Sequence, residues 1–491
     1  LAHNAGSFAY LALLLVVPLT ITAFATLRPV VATLVVYLGS VMFGPMLVNF
    51  DAPLVPPLDK ESLPNLMIFI CVCVTARREM KAARMGLGLD LLVLSLVLCA
   101  AATALTNTDP LQYGPTSLPG MASGDILSEG IRLFLLPVIP FLVARTLFRS
   151  TDDCKTLLKG LAIAGLIYTP FIVIEMRMSP QFHAWVYGFH QHDFSQTRRE
   201  GGFRPMVFMA HGLAVAMLVL TSVIATITLA KAKVKYLKLP RFVPPLVQVS
   251  ILATIKSMGA FIYGCAAIPI AWFLKPKTQI RIAVFLACIA GFYPLLRATG
   301  LFPREQLVEW AASIEQDRAR SLEFRFSNED DLINKMLDRP LFGWGGFSRG
   351  HVFDPANGED VSVVDGGVVS VLSRSGIIGF IVTFGSLLYP VIAALRRVNK
   401  LSPQDQPLLA GVALLSTFYT LDLLPNGFFN QIPFFLAGAL MGLSQGMSSQ
   451  PAVRPDLARL QQALALLQQA NLRARRGQPV PRALSSGTQG R

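Results

Sequence analysis

The stretch VFMAHGLAVAMLVLTSVIATITLA, residues 207–230, contains no Asp, Glu, Lys or Arg and runs directly into Lys231, Lys233, Lys235 and Lys238. About 20 apolar residues at 1.5 Å rise cross the roughly 30 Å hydrocarbon core of a bilayer. With no water to bond to, such a stretch must satisfy its backbone internally, which a helix does. Residues 87–107, 280–296 and 376–395 read the same way. The whole chain agrees, being 53% apolar and only 15% charged, where soluble domains run at about 45–50% and 25%.

Working outward, the pattern predicts an all-α polytopic membrane protein of 12–14 spans. Thirteen segments qualify: 8–27, 29–49, 62–76, 87–107, 130–148, 158–176, 207–230, 243–256, 257–274, 280–298, 368–395, 405–424 and 427–445. The region 244–274 reads either as one long helix or as two short ones. The first residue is Leu1 and not Met, which reads as a trimmed start. Basic residues gather at Arg77, Arg78, Lys81 and Arg84, at 231–241, and at Lys275, Lys277, Arg281, Arg396, Arg397 and Lys400. Such loops face the cytoplasm. The formal charge of +14 is therefore read as loop asymmetry, not as nucleic-acid binding. The opposite side receives 50–61, 107–129, 177–206 and 299–365, the last with seven basic against thirteen acidic residues.

The expected organisation is ten helices over 1–298, including an outer Arg-rich loop at 177–206, then a large outer loop at 299–367 and the last helices at 368–445. A cytoplasmic amphipathic helix and a disordered tail follow at 446–491, the helix starting at Asp456 with Leu457, Leu460, Leu464 and Leu467 on one stripe. Within the large loop, apolar residues at helical spacing over 305–321 and 328–337 predict two or three short helices at the membrane surface. The six cysteines are scattered and read as packing residues.

The 177–206 loop breaks the charge rule, with Arg177, Arg198, Arg199 and Arg204 against Asp193 and Glu200. It is either a solvated loop of arbitrary charge or an anion site, because arginine matches phosphate oxygens with a planar, permanently charged fork.

Pro340-Leu-Phe-Gly-Trp-Gly345, followed by Gly376-Ile-Ile-Gly379, resembles the O-antigen ligase and polymerase superfamily, there as a Pro-Gly-Gly turn and a helix start. Arg199-Glu-Gly-Gly-Phe-Arg204-Pro, Lys256-Ser257-Met-Gly-Ala260 and Ser321-Leu-Glu-Phe-Arg325 are similar to further family elements, in family order over 198–397. The basic residue of the second element is displaced. Ligases of the family carry His eleven residues before the first Gly of the helix start; here Asp365 stands there, as in many polymerase members. The resemblance implies a GT-C-like fold and an inverting, metal-independent glycosyltransferase without cofactor, acting on the periplasmic face of the bacterial inner membrane. Its donor would be an undecaprenyl-diphosphate-linked glycan and its acceptor a saccharide. O-antigen or exopolysaccharide polymerisation is favoured, ligation to lipid A core is the alternative, and chain-length or export proteins are possible partners.

Such chemistry needs cations for the diphosphate and a base for the acceptor hydroxyl. Arg198, Arg199, Arg204 and Arg325 are the substrate-binding candidates; Asp365 and then His211 are the candidate bases. Each has a plainer reading. Asp365 could be the N-cap of the following helix, with Arg374 as its partner, and His211 a packed helix-start histidine. Arg132 and Arg297 could simply snorkel. His183, His190 and His192 read as loop histidines, and Asp330-Asp331 as half of a metal site lacking a third ligand. A transporter or flippase competes as a class, but would carry polar residues at midspan and internal repeats. Here Glu175, Arg297 and Asp422 lie near span ends.

Overall fold

The computed structural model describes residues 6–447 apart from 53–54, 86, 200 and 428–430. The helix expected from Asp456 and the tail lie outside the described residues.

Among the described residues each of the thirteen apolar segments contains a helix, which makes the chain an all-α multi-pass membrane protein. Six helices among the described residues are long and apolar enough to cross a membrane: Ser7–Thr26, Ser123–Leu147, Thr151–Met178, Gly212–Lys231, Pro276–Arg297 and Gly367–Lys400. Shorter apolar helices fill in between them, among them Pro29–Phe43, Leu89–Leu105 and Ile432–Gly446. The 244–274 region is two helices, Val243–Thr254 and Met258–Phe273, separated where Lys256 takes a left-handed φ of 58°.

Helix starts differ from the hydropathy windows where the first turn is polar. Thr151–Met178 begins seven residues before the expected 158. A reciprocal capping box starts it, in which Ser150 Oγ accepts from the Asp153 N–H at 3.1 Å and the Asp153 carboxylate from the Ser150 N–H at 2.9 Å. The Ser123–Leu147 helix contains a π turn at Phe134–Val138 around Pro137, which absorbs the hydrogen bond that proline cannot make. In the large loop the expected helices are redrawn as Arg304–Ile314 and Gln316–Leu337. The break falls at the extended Glu315, and the Ser321–Arg325 element continues as helix because nothing in it interrupts one.

Gly212–Lys231 is the buried centre of the bundle, packed on Thr151–Met178, Val243–Thr254, Met258–Phe273 and Gln406–Asp422. Elsewhere helices meet backbone to backbone. Gly438, Gly442 and Gly446 recur every four residues, and a methyl group on each would fall 2.2–2.5 Å from carbonyl oxygens of Phe141, Arg145, Phe148 or Arg149. That is small-residue packing typical of membrane helices.

Side-chain hydrogen bonds tie the connections down. Lys231 Nζ donates to the Ala271 and Leu274 carbonyls, and Arg145 clamps Asp90 and the Ala83 carbonyl. Lys60 Nζ donates to the Phe208 carbonyl at 3.0 Å, and Thr116 to that of Gly358 at 2.8 Å. The wholly buried Arg349 joins the long loop to the 107–129 connection through the carbonyls of Asp109 and Pro119. The 107–129 and 299–365 connections, which the charge rule grouped together, thus touch each other.

Gly367–Arg397 is not a continuous helix. Gly376 has φ 64° and ψ −168°, which breaks the ladder. Residues 340–345 fill the gap: the N–H groups of Trp344 and Gly345 donate to the Ser373 and Arg374 carbonyls at 2.8 and 2.9 Å, and those of Ile377 and Ile378 donate to the Pro340 and Leu341 carbonyls at 2.8 and 3.2 Å. The helix begins at Gly367, beside the expected 368, and Gly376-Ile-Ile-Gly379 lies at an internal break and not at a helix start. Backbone freed inside a membrane helix needs such partners.

Candidate functional site

The loop 179–207 is set by Glu175, buried near the end of its helix. One carboxylate oxygen accepts the N–H groups of Gln181 and Phe182 at 3.0 and 3.1 Å; the other accepts those of Met206 and Val207 at 2.9 and 2.7 Å. Both ends of the loop are thereby tied to one residue. Val207 has φ 52°, a conformation that costs a β-branched residue about 1–3 kcal/mol and persists only when its surroundings impose it. His183 is a second tie: Nδ1–H donates to the Phe189 carbonyl at 2.8 Å and Nε2 accepts from the Met46 N–H at 3.1 Å. Burial pushes its pKa down to about 4.

From this loop Arg204 reaches over the start of Gly212–Lys231. A Cβ at Gly212 would lie 2.4 Å from Arg204 Cδ, and Arg204 Nε donates to the Lys256 carbonyl at 3.3 Å. His211 is the N-cap of that helix, its Nδ1 accepting the Leu213 N–H at 3.1 Å. In this arrangement the ring proton sits on Nε2.

The Gln316–Leu337 helix is fixed through Asp330, which pairs with Arg297 and, at 2.7 Å, with Arg304. Arg297 and Asp330 are thus partners, not a snorkelling residue and half of a metal site; Arg132 likewise pairs with Glu129 at 2.8 Å. One face of the helix then presents Arg325, Asn328 and Glu329 to the segment ending at Asp365. Arg325 Nε lies 3.4 Å from Asp365 Oδ2 and Nη1 donates to the Pro425 carbonyl at 3.2 Å. Asn328 Oδ1 accepts the Val363 N–H at 3.0 Å. Glu329 accepts from Tyr293 Oη at 2.5 Å, and burial raises its carboxyl pKa.

Asp365 is not a helix cap. The N-cap is Gly366, without a side-chain bond, and the first N–H groups of Gly367 and Val368 donate to the Leu423 carbonyl at 2.8 and 3.2 Å. A neighbouring helix end supplies the capping oxygen, so the carboxylate is turned to other use. Its partner is Arg325, not Arg374.

Arg204, His211, Arg325 and Asp365, with His192 and Asn426, line one cavity of about 550 Å³. The ring centroids of His192 and His211 are 5.0 Å apart. Through Arg204, Met258, Gly259 and Arg325 it continues into a groove of about 1100 Å³, with Lys256 and the carboxylates Glu315 and Asp317 on its wall beside Leu252, Phe261, Ile262 and Leu322. Phe261 and Ile262 are exposed. Arg198 is exposed on the ribbon Arg198–Arg199/Gly202–Phe203, outside the cavity lining. Arg199 is described only in its backbone; its side chain lies outside the described residues.

Sequence reasoning passed over His192, Lys256 as a groove cation, and Glu175 as the anchor of the loop. Only Lys256 carried a signal, as the displaced basic residue beside Ser257. No protein-family model and no curated protein matches the chain.

Proposed function

We propose that this chain is a glycosyltransferase that moves a glycan from undecaprenyl diphosphate onto a saccharide acceptor at the periplasmic face of the bacterial inner membrane. The observation that carries the reading is the meeting of Arg204, His211, Arg325 and Asp365 on one cavity that opens into a partly apolar groove. A prenyl chain suits the Leu252, Phe261 and Ile262 wall, and the diphosphate suits Arg204, Lys256 and Arg325 at the junction.

In the proposed reaction the acceptor hydroxyl gives its proton to the Asp365 carboxylate as its oxygen bonds to the anomeric carbon. The bond from that carbon to the diphosphate oxygen breaks, and lipid diphosphate leaves with the electron pair. Attack opposite the leaving group inverts the anomeric carbon. Arginines beside the leaving oxygens stabilise the charge that develops there. Arg325 has two tasks, because a diphosphate drawing on its guanidinium competes with Asp365 and turns the carboxylate toward the acceptor. His211, holding its proton on Nε2 while it caps the helix, serves better as a donor to a substrate oxygen than as the base. Polymerisation of repeat units remains the preferred form of the activity, following the aspartate at 365, and the twelve to fourteen crossings and GT-C-like fold belong to the same proposal.

The test is to reconstitute the purified protein in vesicles with a polyprenyl-diphosphate oligosaccharide. Elongated lipid-linked glycan is the expected product. Movement of the donor across the bilayer without any new glycosidic bond would instead establish a flippase.

A further inference from the structure

Apart from the Asp365 cavity, with which it shares no lining residue, a second cationic recess opens between Leu89–Leu105, the Ser123–Leu147 helix and Gly367–Arg397. Two adjoining hollows, of about 70 and 20 Å³, share Arg132, Leu133, Arg374 and Ser375 in their lining. Arg374 is exposed there, seven residues inside its helix, or about 10 Å along the axis. Leu96, Cys99, Leu136 and Val371 line the larger hollow, Met121, Gly345 and Gly346 the smaller, and Leu98, Ile377 and Ile381 on the same helices are exposed.

A guanidinium set among apolar side chains of apolar helices is costly unless an anion meets it. The protein supplies none that is uncommitted. Glu129 is the nearby carboxylate, and Arg132 holds its Oε2 through Nε and Nη2, both at 2.8 Å, leaving one carboxylate to be shared by two arginines. Among the described residues no carboxylate pairs with Arg374, so the trio keeps one net positive charge. Ser370 and Ser375 add hydroxyls to the lining, and the larger hollow has room for about five water-sized atoms, the bulk of a phosphate group.

We infer that Arg374, with Arg132, Ser370 and Ser375, forms a lipid-phosphate site in which the phosphate of a bilayer lipid enters the recess and its chains lie along Leu98, Ile377 and Ile381. The site stands apart from the Asp365 cavity and does not depend on the proposed transfer reaction. Two kinds of lipid carry the required group, an anionic phospholipid and a polyprenyl diphosphate; the second would give the enzyme a seat for a second lipid-linked substrate.

Native mass spectrometry of the full chain in nanodiscs tests this, with phosphatidylglycerol, polyprenyl diphosphate and zwitterionic phosphatidylcholine as probes. Wild type is expected to retain one of the two anionic lipids in preference to phosphatidylcholine, and Arg374→Gln to lose that preference by about tenfold or more, with Arg374→Lys in between. Loss confined to phosphatidylglycerol identifies a phospholipid site, and loss confined to polyprenyl diphosphate a second carrier site. If Arg374→Gln does not fold, Leu133→Trp, which fills the recess and leaves the charge, must expel the lipid. Retention by Arg374→Gln or Leu133→Trp of phosphatidylglycerol and of as many polyprenyl diphosphates per chain as wild type overturns the inference, as does a wild type that shows no preference.

Discussion

Arg325 Nε stands 3.4 Å from Asp365 Oδ2, in a pair whose side chains are 41% and 39% exposed. An exposed pair of this kind contributes about 0–1 kcal/mol to stability. Its value lies in fixing the orientation of both groups at the cavity, and that separates stability from activity in the first two tests.

Asp365→Asn should leave folding intact, because the Leu423 carbonyl and not Asp365 caps the helix. On the proposed mechanism transfer falls by about 10² to 10⁴, measured as product formed at matched protein level. Wild-type turnover by the Asn variant would remove Asp365 as the base. Asp365→His, which keeps a proton acceptor at this position, is expected to retain part of the activity.

Arg325→Lys should be nearly as damaging as Arg325→Ala. Lysine keeps the charge, but one ammonium cannot reproduce the fork that reaches Asp365 through Nε and the Pro425 carbonyl through Nη1. Donor affinity and turnover in the reconstituted assay decide it, and near-normal values for the Lys variant would reduce Arg325 to a source of field.

Gly376→Ala should abolish folded protein. Its φ of 64° disfavours alanine, and the added Cβ would lie 2.4 Å from the Leu341 carbonyl oxygen, which is backbone and cannot swing away. A loss above about 3 kcal/mol follows from strain and clash together. Gly343→Ala meets the Gly376 N at 2.6 Å and should behave alike, whereas Gly39→Ala has nothing within 4 Å and should be tolerated. Thermal melting in detergent distinguishes the three.

His183 predicts a pH dependence for the 179–207 loop. Its pKa is depressed from 6.5 to about 4, so the unfolded loop binds the proton more readily. The stabilisation is complete above pH 6.5 and is lost as pH falls from there toward 4, by about 2 kcal/mol at pH 5. Hydrogen exchange within 182–191 should accelerate over that window in wild type and stay flat in His183→Phe.

Sidedness is the remaining expectation. Reporters placed after Lys235 and Lys400 should lie together on the cytoplasmic side, and one within 356–361 on the opposite side. A shared location for all three would refute the grouping of the loops into two faces.

The sequence by itself determined the helices, because length, apolarity and backbone self-sufficiency are properties of one segment at a time. It also marked Arg204, His211, Arg325 and Asp365 individually, through residue type and the resemblance. It could not show that the four share a cavity, since that depends on Glu175 gathering four N–H groups from two ends of a loop and on Asp330 seating a helix against Arg297 and Arg304. Two readings failed, and a break went unforeseen, for the same physical reason. The oxygen capping the Gly367 helix belongs to Leu423, the partner of Asp365 sits on a separate helix, and the groups satisfying the Gly376 break belong to residues 340–345. Hydrogen bonds between segments distant in the chain leave no periodicity to read, and only the packed tertiary structure decides which donor meets which acceptor.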